Sequence, residues 1–228
     1  DNYTQKLYDV SEYGPQQVAT FSPDGERIAF ARENNLFVKT LRFGTEQQVT
    51  FDGKINEIIN GVPDWVYEEE FSYNKAFAWS PDSKQLAYVK FNETEVPQFN
   101  IPMYKGLSPK KKEHELYPGY YEFKYPKAGE KNSTVSVHVY DIKTKTTIEM
   151  NTGANTNIYI PKTEWTPDGN DLAIFRLNRN QNELDILYAN PNTGDTRTVL
   201  TEKNSRYIDQ EFLNLFTYLD DNKHFVIA

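Results

Sequence analysis

Phe21-Ser22-Pro23-Asp24-Gly25, running into Arg27-Ile28-Ala29-Phe30, is the stretch that decides the fold, because the chain repeats its pattern. Trp79-Ser80-Pro81-Asp82-Ser83 leads into Gln85-Leu86-Ala87-Tyr88-Val89, and Trp165-Thr166-Pro167-Asp168-Gly169 into Asp171-Leu172-Ala173-Ile174-Phe175. A degenerate copy, Leu219-Asp220-Asp221-Asn222, runs into Phe225-Val226-Ile227. Each unit sets an apolar residue before a polar turn and an apolar run after it, and Pro-Asp-Gly supplies a turn between strands. Outward from each turn, further elements recur in order. A strand such as Leu36-Phe37-Val38 or Ile186-Leu187-Tyr188 is followed by a polar turn and a last strand ending near Thr50, Met150 or Thr201. About four short strands in a unit of roughly 40 to 50 residues is the pattern of a propeller blade. A β-sandwich also uses many short strands, but it does not place the same turn at the same point of every unit. The expected fold is all-β, a partial β-propeller of about three and a half four-stranded blades. The chain stops in the apolar strand Phe225-Val226-Ile227-Ala228, so it reads as cut from a larger ring whose closure would cover its edges.

Composition narrows the functions. The hydrophobic fraction of 38% is low while 14% of residues are aromatic, so burial rests on rings more than on aliphatic side chains. A net charge of -8 has the wrong sign for attraction to phosphate backbones or anionic lipid heads, which argues against a nucleic-acid partner. No stretch approaches the roughly 18 apolar residues of a membrane span, and residues 1 to 10 lack the apolar core of a signal peptide. Without cysteine there is neither a disulfide framework nor a thiolate metal site, and either redox compartment is compatible with that.

The second unit is roughly twice as long as the first and third, an insertion of about 35 to 42 positions lying mostly between Phe91 and Thr134. It carries Phe99, Tyr104, Tyr117, Tyr120, Tyr121, Phe123 and Tyr125 among several prolines, an unusual composition for a solvated linker. The expectation is an ordered arm over about 97–126 whose rings are buried. Burial against a partner subunit and packing back onto its own blade are both open, with Lys110-Lys111-Lys112-Glu113 as a solvated tip in the second case.

Catalytic machinery is missing from the visible pattern. No Gly-x-Ser-x-Gly elbow is present, and Gly106-Leu107-Ser108-Pro109-Lys110 fails at its last position. The histidines are His114, His138 and His224; none forms a pair at zinc spacing, and His138 lies in the alternating run Val135 to Tyr140, where it reads as a strand residue. No metal or nucleotide motif appears, so no cofactor is expected. One segment interrupts the strand pattern: Gly61-Val62-Pro63-Asp64-Trp65-Val66-Tyr67-Glu68-Glu69-Glu70-Phe71. It reads as a short helix capped by Asp64, with Trp65 and Phe71 pinning it to the blade. On residues alone, an acidic run of this kind is ordinarily a solvated face.

Asp64-Trp65-Val66-Tyr67-Glu68-Glu69-Glu70 resembles the glutamate motif of the dipeptidyl peptidase IV family, serine exopeptidases of the prolyl oligopeptidase group that combine a propeller with an α/β-hydrolase domain. The resemblance extends through Trp79-Ser80-Pro81, through Phe91-Asn92-Glu93-Thr94-Glu95-Val96-Pro97 and through Tyr125-Pro126-Lys127-Ala128-Gly129, and more loosely over the whole chain. It implies an eight-bladed parent ring of which residues 1–228 are a part. It also implies that Glu69 and Glu70 hold the free α-ammonium of a peptide substrate, so that cleavage falls after the second residue, preferably proline or alanine. The related prolyl tripeptidyl peptidases differ at this motif, so the acidic pair favours dipeptide release.

Further implications follow from the same resemblance. The serine, aspartate and histidine of the triad belong to a C-terminal hydrolase domain absent from this chain, and a substrate-binding arginine belongs upstream of Asp1. The fragment by itself is expected to be inactive. The aromatic wall of the second substrate pocket is unassigned, with Tyr207 and Phe212 as candidates. The expected partners are a peptide with a free N-terminus, the hydrolase domain of the same protein, and a second copy joined through the arm. Animal members carry propeller disulfides that this chain cannot form, which suggests a bacterial relative exported to the periplasm or cell surface. Pro-Asp-Gly repeats also resemble the TolB-like propellers, which bind proteins without catalysis, and those repeats alone leave the Asp64 to Glu70 motif unexplained.

Overall fold

A computed structural model describes residues 9–209, 213, 215–221 and 224–227. The first blade is a meander of β1 (Gln17–Phe21), β2 (Arg27–Arg32), β3 (Asn35–Thr40) and β4 (Thr45–Gln48), hydrogen-bonded in that order. The third repeats it with β12 (Ile158–Trp165), β13 (Leu172–Asn178), β14 (Glu183–Ala189) and β15 (Thr196–Lys203). Between them, the second blade is built on β7 (Gln85–Asn92), β10 (Thr134–Asp141) and β11 (Thr147–Met150). Its first strand is split into β5 (Ile58–Asn60) and β6 (Phe77–Trp79), with the helix α1 (Trp65–Phe71) between the halves. The hairpin of β16 (Thr217–Tyr218) and β17 (Phe225–Val226) begins a fourth unit. The partial propeller read from the repeats is therefore the architecture. Its strand ends differ slightly from the sequence reading, since β4 stops at Gln48 and β15 continues to Lys203.

The Pro-Asp turns share one hydrogen-bond circuit. Ser22, Ser80 and Thr166 each donate a backbone N–H to a carbonyl five residues on, at 2.9, 2.9 and 3.0 Å, and Leu219 does the same in the degenerate copy at 2.8 Å. In the first three turns the hydroxyl of Ser22, Ser80 or Thr166 donates to Asp24, Asp82 or Asp168 at 2.6 to 2.7 Å. These bonds, preceded at Asp82 by the bond from the Lys84 ammonium, hold the three carboxyls below their usual range. The turn needs a left-handed residue, supplied by Gly25 at φ 70° and Gly169 at φ 71°. Ser83 takes the same conformation at φ 63°, and its hydroxyl accepts the Asp24 amide of the neighbouring blade at 3.0 Å.

Middle strands covered on both faces explain the continuous apolar runs. Residues Ile28–Ala31, Leu86–Val89 and Leu172–Phe175 are buried almost throughout. The first strands are joined from blade to blade by a repeated bond: Trp79 Nε1 donates to the Thr20 carbonyl and Trp165 Nε1 to the Ala78 carbonyl, both at 3.1 Å.

Residues 98–124 leave the second blade as a ribbon of β8 (Gln98–Met103) and β9 (Gly119–Lys124), with a short 3-10 turn at Lys112–His114 between them. Phe99, Phe123 and Tyr125 pack at its base with centroid separations of 5.5 to 6.1 Å. Leu107, Leu116, Tyr117, Tyr120 and Tyr121 remain exposed further out.

Candidate functional site

Antiparallel pairing sorts the loops onto two ends. The Pro-Asp turns join first to second strands at one end, so the second-to-third connections all emerge at the other. These connections are Glu33-Asn34 in the first blade, the ribbon in the second, and Arg179 to Asn182 in the third. The excursion holding α1 leaves the split strand opposite Val89, towards that same end of β7. Helix, arm and the Arg179 turn are thereby gathered together.

The excursion is closed at its neck. Gly61 donates to the Val89 carbonyl at 3.0 Å, Val89 to Ala76 at 2.8 Å, and Ala76 to Gly61 at 2.9 Å. Gly61, at φ 75°, lies where an added Cβ would meet Leu36 of the first blade at 2.4 to 2.9 Å, so only glycine fits the exit. The other two complete blades break register near the equivalent place by one extra residue each, between Gln17 and Thr20 and between Tyr159 and Lys162. The helix occupies a position where the first strand is already irregular.

α1 is held by side chains rather than by its own length. Asp64 accepts from the Tyr67 amide at 3.0 Å as the cap, and Ser72 ends the helix in the left-handed region at φ 51°. Tyr67 is fully buried; its hydroxyl accepts the Ile160 amide of the third blade at 3.0 Å, and its ring packs against Phe71, Tyr73, Phe91 and Tyr159. Burial lifts the Tyr67 phenol well above its ordinary range, so it stays neutral. Trp65 lies on Tyr125 at 4.2 Å and Phe71 on Tyr159 at 5.3 Å. With this face spent on packing, Glu68, Glu69 and Glu70 are left exposed.

Two further acids are buried, Asp64 at the cap of the helix and Glu93, which feels its charge. Asp64 is 6% exposed and receives the Ser133 hydroxyl at 2.5 Å; burial raises its carboxyl despite that bond. Glu93, equally buried, is pushed up to about 7, first by burial and then by the Asp64 charge, against the pull of Lys124 and the Asn56 amide.

A cleft of about 910 Å³ opens between α1, the arm base and the third blade. Trp65, Tyr125 and Tyr159 form walls, and Glu70, Lys127 and Arg179 bring charge to it. Arg179 spans the site: its guanidinium lies 5.7 Å from the Tyr159 ring centroid and donates to the Glu130 carbonyl at 2.9 Å. Asn132 donates to the Tyr159 hydroxyl at 2.7 Å. A second hollow, about 620 Å³ on the first blade, contains Arg32 already paired with Glu46 at 2.7 Å and stacked 4.0 Å from the Phe37 centroid, an internal ion pair. Among the described residues no group of metal-ligating side chains converges, and no helix is long and apolar enough to cross a membrane.

Of the two acids singled out in the sequence, Glu70 lines the cleft, and Glu69 is exposed on the same helix without being part of that lining. Tyr207 is 65% exposed in a small hollow beside Arg206 and Ile208, and Ile208 bonds the Gln181 carbonyl at 2.7 Å, next to the Arg179 turn. Phe212 lies outside the described residues. His138 is a strand residue of β10, stacked on Tyr88 at 5.1 Å and held by burial at about 4. Tyr67, Ser133, Tyr159 and Arg179 were missed, because what marks them is a contact with a residue distant in sequence. The motif alone hinted at one of them: Tyr67 is the aromatic one turn before the hydrophobic end of α1.

The whole chain, residues 1–228, matches the family model described as the dipeptidyl peptidase IV N-terminal region. A "Dipeptidyl peptidase 4" of Trichophyton rubrum is 36% identical over 82% of this chain and 24% of its own length. A "Probable dipeptidyl-aminopeptidase B" of Trichophyton verrucosum is 47% identical over 57% of this chain and 15% of its own. Among solved structures, Porphyromonas gingivalis dipeptidyl peptidase 4 superposes with a TM-score of 0.86 at 41% identity, covering 92% of this chain and 29% of that one. The chain thus spans no more than about a third of the proteins it matches. With the repeated turns, the split strand and the acidic helix in place, the match across its full length shows that this chain belongs to the dipeptidyl peptidase IV family, within that family's N-terminal region.

Proposed function

We propose that this chain is the amine-recognising propeller part of a serine exopeptidase that releases Xaa-Pro or Xaa-Ala dipeptides from peptide N-termini. The observation that carries the reading is the exposed Glu70, with Glu69 beside it, on a helix whose other face is fixed by Tyr67 and Asp64. An α-ammonium has three donors and two carboxylates offer acceptors for them. A clamp on the amino terminus also measures length, presenting the second residue's carbonyl to a nucleophile supplied by a hydrolase domain of the same protein. No cofactor enters this chemistry. The repeats are equally those of a TolB-like binding module, but the acidic helix at the cleft favours the peptidase.

In the full-length enzyme, Glu69→Gln and Glu70→Gln are expected to cut kcat/KM for Gly-Pro-p-nitroanilide by about 100-fold or more, while an organophosphate still labels the serine. N-acetylated substrate should be refused, and binding should weaken as pH rises through the α-amino range of about 7.7 to 8.0. Wild-type rates in both variants would return the pair to an ordinary solvated face. The 228-residue chain alone should not turn the substrate over. The exposed rings of the arm support a contact with a second copy, checked by the sedimentation of full-length enzyme lacking residues 98–124. Export to the periplasm or cell surface completes the proposal and is checked by fractionation.

A further inference from the structure

A helix of seven residues has little stability of its own, so the position of Glu70 is set by what α1 touches. Two anchors come from the third blade, through Tyr67 to Ile160 and Phe71 to Tyr159. Two more come from the segment that leads the arm back into the second blade. Ser133 bonds the capping carboxylate, and Tyr125 lies on Trp65 at the first position of the helix. We infer that Ser133 and Tyr125 are positioning residues for the amine-binding helix, and that they couple the arm to Glu70. This inference rests on the clamp reading above.

The Ser133 bond is well placed for the task. Both partners are buried, at 4% exposure for Ser133 and 6% for Asp64, and the hydroxyl meets the carboxylate oxygen that the Tyr67 amide does not use. Removing it leaves a buried oxygen without that donor. Letting Asp64 move towards water relieves that cost and shifts the first turn of the helix. The Tyr125 contact acts on the same turn from the side. Tyr125 is also the last ring of a row that begins in the ribbon, Tyr121 on Phe123 at 5.6 Å and Phe123 on Tyr125 at 6.0 Å. Displacement of β9 is therefore passed through touching rings to Trp65, five residues before Glu70. Residues 125 to 133 also border the cleft through Tyr125, Lys127 and Asn132, so a shift of this segment changes the wall facing Glu70 as well.

The test uses the full-length enzyme and the variants Ser133→Ala, Ser133→Thr, Tyr125→Leu and Glu70→Gln. KM and kcat are measured with Gly-Pro-p-nitroanilide, and active sites are counted with an organophosphate. Loss of one buried hydrogen bond or ring contact that orients the clamp is expected to raise KM about 5- to 30-fold in Ser133→Ala and Tyr125→Leu, with kcat per labelled site within about twofold. Ser133→Thr, which keeps a hydroxyl, should recover most of that loss, as a purely volumetric role would not allow. Unchanged KM in Ser133→Ala and Tyr125→Leu, alongside a damaged Glu70→Gln, overturns the positioning role and leaves the clamp standing. Unchanged KM in Glu70→Gln overturns the clamp and this inference with it. If Ser133→Ala fails to label, Tyr125→Leu and Ser133→Thr decide: normal KM in the first, or a Ser133→Thr enzyme that labels fully but keeps a raised KM, counts against the inference.

Discussion

Glu93 and His138 lie on the second blade, and burial drives each towards its neutral form. Glu93 has a folded value of about 7 against 4.5 unperturbed, so between those values the folded state holds a proton that the unfolded state has released. Stability attributable to Glu93 is therefore full below about pH 4.5 and declines as pH rises through 7. His138 has a folded value of about 4 against 6.5, so the unfolded state binds the extra proton and stability falls as pH drops from 6.5 to 4. The two slopes oppose one another over most of their range. Glu93→Gln should remove one of them: its urea unfolding free energy should exceed wild type above pH 7, converge with it near pH 4.5, and rise with pH in between. A variant no more stable than wild type at about pH 8 would show that Glu93 is not a buried acid. None of this is legible in the sequence. Glu93 stands in a polar motif with Asn92 and Thr94, and its burial comes from the segment around Asn56 and Glu57 folding over it.

The acidic helix was legible as an element but not as a placed object. Asp64, three positions before Tyr67, announces a cap, and the break in strand pattern announces an excursion. That its two ends meet across Val89 is a matter of register, which no local pattern encodes. Nor does the sequence show which ring bears the helix, since Trp65, Tyr67 and Phe71 are all aromatic and only the structure shows the Tyr67 hydroxyl facing a strand amide. Tyr67→Phe tests this directly. It keeps the ring and deletes the acceptor of the buried Ile160 amide, with an expected loss of about 1 to 3 kcal/mol of stability. Hydrogen exchange at the Ile160 amide should accelerate in parallel. Stability and exchange equal to wild type would mean that the ring alone suffices.

Blade count and order were legible because each blade repeats a local device, the Ser/Thr-Pro-Asp turn, whose bonds span only five residues. Joints between blades are less visible, but Trp79 and Trp165 show what carries them, since each stands just before its turn and reaches the preceding blade's first strand. Trp79→Phe and Trp165→Phe each delete one inter-blade bond while keeping an aromatic ring, at about 1 to 2 kcal/mol apiece. They act at successive joints, but Trp165 bonds the carbonyl of the Ala78–Trp79 peptide, so the departure of the double variant from the sum measures how far one joint feels the other. Marked non-additivity in urea unfolding would show that the joints are not independent.

The neck at Gly61 and Ala76 also makes the acidic helix a cassette. The chain leaves the strand and returns to it across a 2.9 Å hydrogen bond, so the sheet is complete on either side of the insert. Joining Gly61 to Ala76 through a short Gly-Ser bridge would remove residues 62–75 without breaking the β7 ladder. Because the first strands of the neighbouring blades carry a one-residue bulge near the same place, the insert could also be transplanted. Excision would also draw the buried Tyr67 out of the core it shares with the third blade, so the insert is separable from the hydrogen bonds of the sheet but not from its packing.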